Sequence, residues 1–233
     1  MRERRRLPTA MSDELLPCIE IETAANPNAA VIWLHGLGAD GNDFVPIVPE
    51  LGLPRTLAAR FVFPHAPVRP VTINNGMRMR AWYDISAADF NRRADLGGVR
   101  ASSSALGRLI EREAGRGIAA ERIVLAGFSQ GGAIALYAGV RYPQRLAGIM
   151  VLSSYLVDAE ALASEASAAN RSVPIFMAHG TADPVVQFQW GETSKRLLEA
   201  QGYAVEWHSY RMEHSVCLEE VHSIGAWLSR VLA

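Results

Sequence analysis

The 233-residue sequence has only two cysteines, Cys18 and Cys217, near opposite ends of the chain and outside any C-x-x-C pair. That excludes a disulfide framework and a thiolate zinc site, and two free buried thiols are expected. Net charge is nearly absent too, with 23 Lys and Arg against 24 Asp and Glu. No overall field draws in a nucleic-acid backbone or an anionic membrane, so no nucleic-acid partner is expected. No stretch approaches the ~20 apolar residues of a membrane span. The start is rich in arginine (Arg2, Arg4, Arg5, Arg6) but lacks the apolar run that completes a signal peptide. The chain therefore reads as cytoplasmic, without stable membrane insertion. Neither H-E-x-x-H nor any other clustered His and carboxylate spacing occurs, which argues against a catalytic metal.

What is present is apolar residues, 49% of the chain, enough for one large core. Residues 1–17 lack periodicity and contain Pro8 and Pro17. They read as a flexible extension, within which Met11 is an alternative first residue, and residues 18–233 read as one domain. Short apolar runs predict strands at Cys18 to Glu22, Ala30 to Leu34, Phe61 to Phe63, Arg122 to Ala126, Gly148 to Leu152, Pro174 to Ala178 and Val205 to Tyr210. Amphipathic segments near 99–114, 131–141, 187–202 and 217–231 are long enough to return the chain in parallel. The rhythm predicts an α/β fold with a mostly parallel central sheet and helices on both faces. Residues 64–98 break it with Pro64, Pro67, Pro70 and Asn74-Asn75-Gly76, and form a candidate binding wall around Trp82.

The sharpest local signal is Gly127-Phe128-Ser129-Gln130-Gly131, directly after a predicted strand and directly before a predicted helix. A nucleophile elbow holds its serine on a strained turn, with small residues two before and two after it. Gly127 and Gly131 fill those places. The turn lifts the Ser129 hydroxyl above the sheet and aims the Gln130 amide, at the helix N-terminus, where a tetrahedral oxyanion forms. The competing reading is an ordinary turn with a capping serine.

A serine hydroxyl needs a base, and the base needs an acid to hold its tautomer. After Pro174 to Ala178 comes His179-Gly180-Thr181-Ala182-Asp183-Pro184, and after Val205 to Tyr210 comes Met212-Glu213-His214-Ser215. In the order serine, acid, histidine these loops offer Asp183 and His214, with Asp158 as the main rival acid. His222 falls within a helix, His208 on a strand and His179 at a strand end, all read as structural. His35 and His65 end strands that could border the site.

Gly36-Leu37-Gly38-Ala39-Asp40-Gly41 spells the dinucleotide pattern G-x-G-x-x-G. That pattern also requires a helix straight after the glycines and an acid about 20 residues on. Pro46 and Pro49 interrupt the one, and Phe61-Val62-Phe63-Pro64 supplies no carboxylate for the other. The better use of the loop is to donate the second oxyanion amide, from Leu37, a contact worth on the order of 3 kcal/mol of transition-state stabilisation.

These residues resemble the acyl-protein thioesterase, phospholipase and carboxylesterase family of small α/β-hydrolases. The likeness rests on His35 to Gly41, Pro64-His65-Ala66-Pro67, Arg80 to Ile85, Gly127 to Gly132, His179 to Asp183 and His214-Ser215-Val216. It implies Ser129 as nucleophile, His214 as base and Asp183 as its partner, with Leu37 and Gln130 as oxyanion donors and no cofactor. It also implies a substrate that is a small ester, a lysolipid or an acylated protein. Glu213 departs from the pattern, standing where many members carry glycine. Ser153 to Ser172 leaves no room for a cap domain, so the site should be open. Trp82, Leu37, Phe44, Val185 and Val186 are its candidate apolar acyl contacts. The rival from another class is a catalytically silent hydrolase-fold binding protein. Whether two chains pair as a homodimer is not fixed by the sequence.

Overall fold

In the computed structural model the described residues are 15–86 and 95–233. The Arg-rich start with Met11, and part of the 64–98 excursion, lie outside them. The strands are β1 (Cys18–Glu22), β2 (Ala29–Leu34), β3 (Ala59–Pro64), β4 (Val68–Val71), β5 (Met77–Arg80), β6 (Ile123–Phe128), β7 (Gly148–Leu152), β8 (Ile175–Gly180) and β9 (Val205–Tyr210). The helices are α1 (Leu96–Gly115), α2 (Gln130–Arg141), α3 (Leu162–Glu165), α4 (Phe188–Ala200) and α5 (Leu218–Val231).

Seven strands form one sheet in the order β1-β3-β2-β6-β7-β8-β9. It is parallel throughout except for β1, which runs antiparallel to β3 with Cys18 opposite Pro64 and Glu22 opposite Arg60. Central strands are apolar along their whole length because both of their faces are covered. On β6, Ile123 and Leu125 join the core under α1 and α2, whereas Val124 and Ala126 face Trp227 and Leu228 of α5. The same alternation runs through β2, β7 and β8. The edge strand β9 is only partly buried, as its mixed polar pattern predicts.

Helix α1 starts where the Asp95 side chain accepts from the Gly98 amide at 2.9 Å, satisfying one of the donors a helix N-terminus leaves open. Its far end is fastened to the sheet by Arg60 Nη1, 2.6 Å from Oε2 of the fully buried Glu113. The structure adds what periodicity did not predict. Strands β4 and β5 pair as a separate hairpin within the excursion, and Val45–Leu51 is a 3₁₀ segment. That segment, rather than a long helix, follows the Gly36 to Gly41 loop, so the architecture of a dinucleotide site is missing here. Between β7 and β8 the chain makes only short helical turns and α3, which leaves the carboxyl edge of the sheet uncapped among the described residues. Both cysteines are unpaired but half-buried rather than buried, Cys18 on the edge strand and Cys217 just before α5.

Candidate active site

The turn between β6 and α2 is strained at one residue: Ser129 has φ 54° and ψ −122°. A non-glycine residue held there costs about 1–3 kcal/mol and persists only where its surroundings fix it. Here its amide donates to the Leu152 carbonyl at 2.8 Å. Its own carbonyl accepts from Ser154 Oγ at 2.6 Å and from the Ala133 amide at 3.2 Å. The small flanking residues are a steric requirement. A β-carbon on Gly131 would lie 2.5 Å from the carbonyl oxygens of Leu34 and His35, and one on Gly127 would overlap the Gly131 backbone.

Asp183 and His214 reach this serine from the ends of β8 and β9. His214 Nε2 lies 3.0 Å from Ser129 Oγ, and His214 Nδ1 lies 2.7 Å from Asp183 Oδ2. Asp183 is buried, and its other oxygen accepts from the Val185 and Val186 amides at 2.8 and 2.9 Å. With Asp183 accepting at Nδ1, the Nδ1–H tautomer is favoured and Nε2 is left to accept from the serine. The two loops are tied backbone to backbone, Thr181 donating to Tyr210 at 2.9 Å and Ala182 to Met212 at 3.1 Å. Asp158 takes no part, since the His214 ring is bonded to Asp183.

Around this row, the amides of Leu37 and Gln130 have no backbone acceptor among the described residues. His35 stands behind the first of them. Its Nε2 accepts from the Ala66 amide at 3.1 Å, so the proton sits on Nδ1, which donates to the Gly36 carbonyl at 2.7 Å. Burial pushes its pKa down to about 4, which keeps the ring neutral. His65 accepts from the Gly41 amide at 3.0 Å. His179 bonds the Val186 carbonyl at 2.8 Å and stands 3.5 Å from Asp183 Oδ2, with its pKa lowered by burial. His208 pairs with Glu206, and His222 is exposed on α5. Reading His179 as a simple strand-end residue therefore missed that it backs the acid, a contact no spacing in the sequence announces.

Three of the four proposed substrate contacts beside Leu37 are buried. Trp82 is 1% exposed, and its indole N–H donates to the His35 carbonyl at 2.9 Å, which ties it to the end of β2. Phe44 is 6% exposed and stacks on Trp33 at 5.0 Å. Val186 is 4% exposed, turned into the core while its backbone holds Asp183 and His179. Val185, by contrast, is 52% exposed on the loop that carries the acid. An apolar residue close to a site is more often packed beneath it than presented at it.

The phospholipase/carboxylesterase family matches this chain over residues 16–232. The chain belongs to that family. Among curated relatives, acyl-protein thioesterase 1 of Neurospora crassa is 40% identical over 225 residues, covering 93% of this chain and 92% of that one. Acyl-protein thioesterase 1 of Yarrowia lipolytica is 39% identical, covering 91% and 96%. Among solved structures, Arabidopsis thaliana SOBER1 superposes with a TM-score of 0.82 at 31% identity, covering 88% of this chain and 99% of that one. Zea mays acyl-protein thioesterase 2 does so with a TM-score of 0.82 at 28% identity, covering 94% and 100%. Membership makes the protein an α/β-hydrolase-fold serine hydrolase of the esterase class. The hydrogen-bonded row of hydroxyl, imidazole and carboxylate is the machinery such an enzyme requires. Glu213, the departure from the family pattern, is exposed and is not among the residues with positive φ, so a side chain is accommodated there without backbone strain.

Proposed function

We propose that the protein hydrolyses carboxylic esters and thioesters through an acyl-enzyme on Ser129, and that its natural substrates are S-acylated proteins. The observation that carries the chemistry is the row Ser129 Oγ, His214, Asp183, at 3.0 and 2.7 Å. Ser129 Oγ attacks the carbonyl carbon as its proton passes to His214 Nε2. The resulting oxyanion is met by the amides of Leu37 and Gln130. The C–O or C–S bond then breaks, and the imidazolium returns the proton to the departing alcohol or thiol. Water, deprotonated by His214, attacks the acyl-enzyme; the carboxylic acid leaves and Ser129 recovers its proton.

The choice of an acylated protein is supported by the names of the relatives at 39–40% identity and by the absence of an inserted domain between β7 and β8. An uncapped edge admits a bulky acyl donor. We take residues 18–233 as the catalytic domain, since β1, which begins at Cys18, is an integral edge of the sheet. The test has two parts. A fluorophosphonate adduct should map to Ser129 and vanish in Ser129→Ala, and an unlabelled but folded protein would indicate a silent binding module. Turnover of matched oxygen esters, thioesters, lysophospholipids and an S-acylated peptide then ranks the substrates. Faster cleavage of lysolipid than of acyl-peptide would replace the acyl-protein assignment.

A further inference from the structure

The two oxyanion amides come from different parts of the chain, Leu37 after β2 and Gln130 at the start of α2. Stabilising one oxygen atom requires both to be held at a fixed separation and aim. Close backbone packing of Gly131 on the Leu34 and His35 carbonyls brings the two segments together, but each donor lies beyond the end of its strand, where its aim is open to side-chain control.

A set of side-chain bonds spans the gap. The Gln130 amide group is buried with both of its ends used: Oε1 accepts from the Trp82 amide at 2.8 Å, and Nε2 donates to the Tyr83 carbonyl at 2.8 Å. This two-point clamp fastens the first residue of α2 to segment 82–83. Trp82 is held in turn by Ser102 Oγ, which donates to its carbonyl, and its indole N–H reaches the His35 carbonyl at 2.9 Å. His35 completes the path through its 2.7 Å bond to the Gly36 carbonyl. In a planar trans peptide the C=O and the following N–H point in opposite directions. Drawing the Gly36 oxygen toward the His35 ring therefore turns the Leu37 N–H away from it.

We infer that the Gln130 side chain and Trp82 form a strut that sets the mutual geometry of the two oxyanion donors, making both positioning residues for the acyl-transfer step. The inference rests on the assignment of Leu37 and Gln130 as those donors. It gives Gln130 two separate duties, donation from its backbone and alignment through its side chain. It also turns the buried Trp82 from a substrate contact into a spacer.

The test compares Gln130→Met, Trp82→Phe and the double variant with the wild type on a thioester and an oxygen ester. A strut that acts only as charge develops lowers kcat by about 10- to 100-fold, below the cost of deleting a donor outright, with KM nearly unchanged. Affinity for an aryl trifluoromethyl ketone, whose hemiketal oxygen occupies the oxyanion position, should fall in parallel. Both changes break one path, so the double variant should be no slower than the slower single variant. Unchanged kcat in a folded variant, losses that multiply, or a change confined to KM would each overturn the strut.

Gln130→Glu alters almost no volume and covers the case in which truncation unfolds the chain. Its carboxylate can accept from the Trp82 amide but can donate to the Tyr83 carbonyl only when protonated. Its kcat relative to wild type should therefore rise as the pH is lowered, and a ratio independent of pH would count against the strut. Fluorophosphonate labelling of the wild type keeps the two questions apart. No label at Ser129 removes the proposed function, whereas a labelled wild type with variants of undiminished kcat removes the strut alone.

Discussion

Gly180, the last residue of β8, lies so close to the Glu213 carbonyl oxygen that a β-carbon on the glycine would overlap it. The loop carrying His214 is thereby seated directly on the loop carrying Asp183, and the 2.7 Å contact between imidazole and carboxylate depends on that seating.

Gly180→Ala should push the 212–214 backbone outward. Overpacking of this kind costs about 1–3 kcal/mol, and a catalytic group misplaced by an ångström can lose about 100-fold in rate. A large fall in kcat with a modest fall in Tm is expected. Unchanged kcat would show that the loop relaxes without moving His214.

Asp183→Asn separates geometry from charge. The side-chain oxygen can still accept from the Val185 and Val186 amides, but the NH₂ group turned toward His214 stabilises the wrong tautomer. A loss of about 10³- to 10⁴-fold in kcat is expected, with little change in Tm. The same substitution at Asp158, half-buried and not bonded to the His214 ring, should leave kcat within about twofold, because asparagine also tolerates its left-handed backbone.

Acid should destabilise the protein through His35. Its folded pKa is lowered from 6.5 to about 4, so the unfolded chain takes up the proton first. The contribution is intact above pH 6.5 and is lost as the pH falls through 4, amounting to about 3 kcal/mol at one pKa unit per 1.36 kcal/mol. Urea melts across that window should show stability falling with pH, and His35→Asn should flatten the slope.

Alkali should act through Glu220, which is fully buried in the first turn of α5, where the Cys217 amide only partly offsets the cost of burying its charge. Burial raises its pKa from 4.5 to about 8. The unfolded chain releases the proton first, so the contribution of Glu220 is greatest below pH 4.5 and is lost as the pH rises through 8. Glu220→Gln should raise Tm more at pH 8 than at pH 4.5. An equal shift at both would mean that the carboxyl is not held neutral.

Val185 tests the acyl groove. Its amide anchors Asp183 whatever the side chain, so Val185→Ser should spare kcat. If the exposed side chain contacts the acyl group, KM should rise more for long acyl chains than for short ones, by no more than about 1 kcal/mol per methylene. A KM change independent of chain length would place the acyl chain elsewhere.

The sequence alone determined the layered sheet and the elbow. Continuous apolar runs such as Ile123 to Ala126 can be stable only when both faces are covered, and a serine between Gly127 and Gly131 at a strand-to-helix step has few other uses. Those are local constraints, written within a few residues of where they act. The loops holding Asp183 and His214 were legible because each follows a strand, but the distances joining them to Ser129 were decided by packing across the sheet. Tertiary structure alone showed that Trp82, Phe44 and Val186 are buried, that His179 backs the acid, and that Gln130 is clamped to segment 82–83. Burial and long-range hydrogen bonds depend on which surfaces meet, and residues 48 positions apart, such as Trp82 and Gln130, carry no mark of each other in the chain.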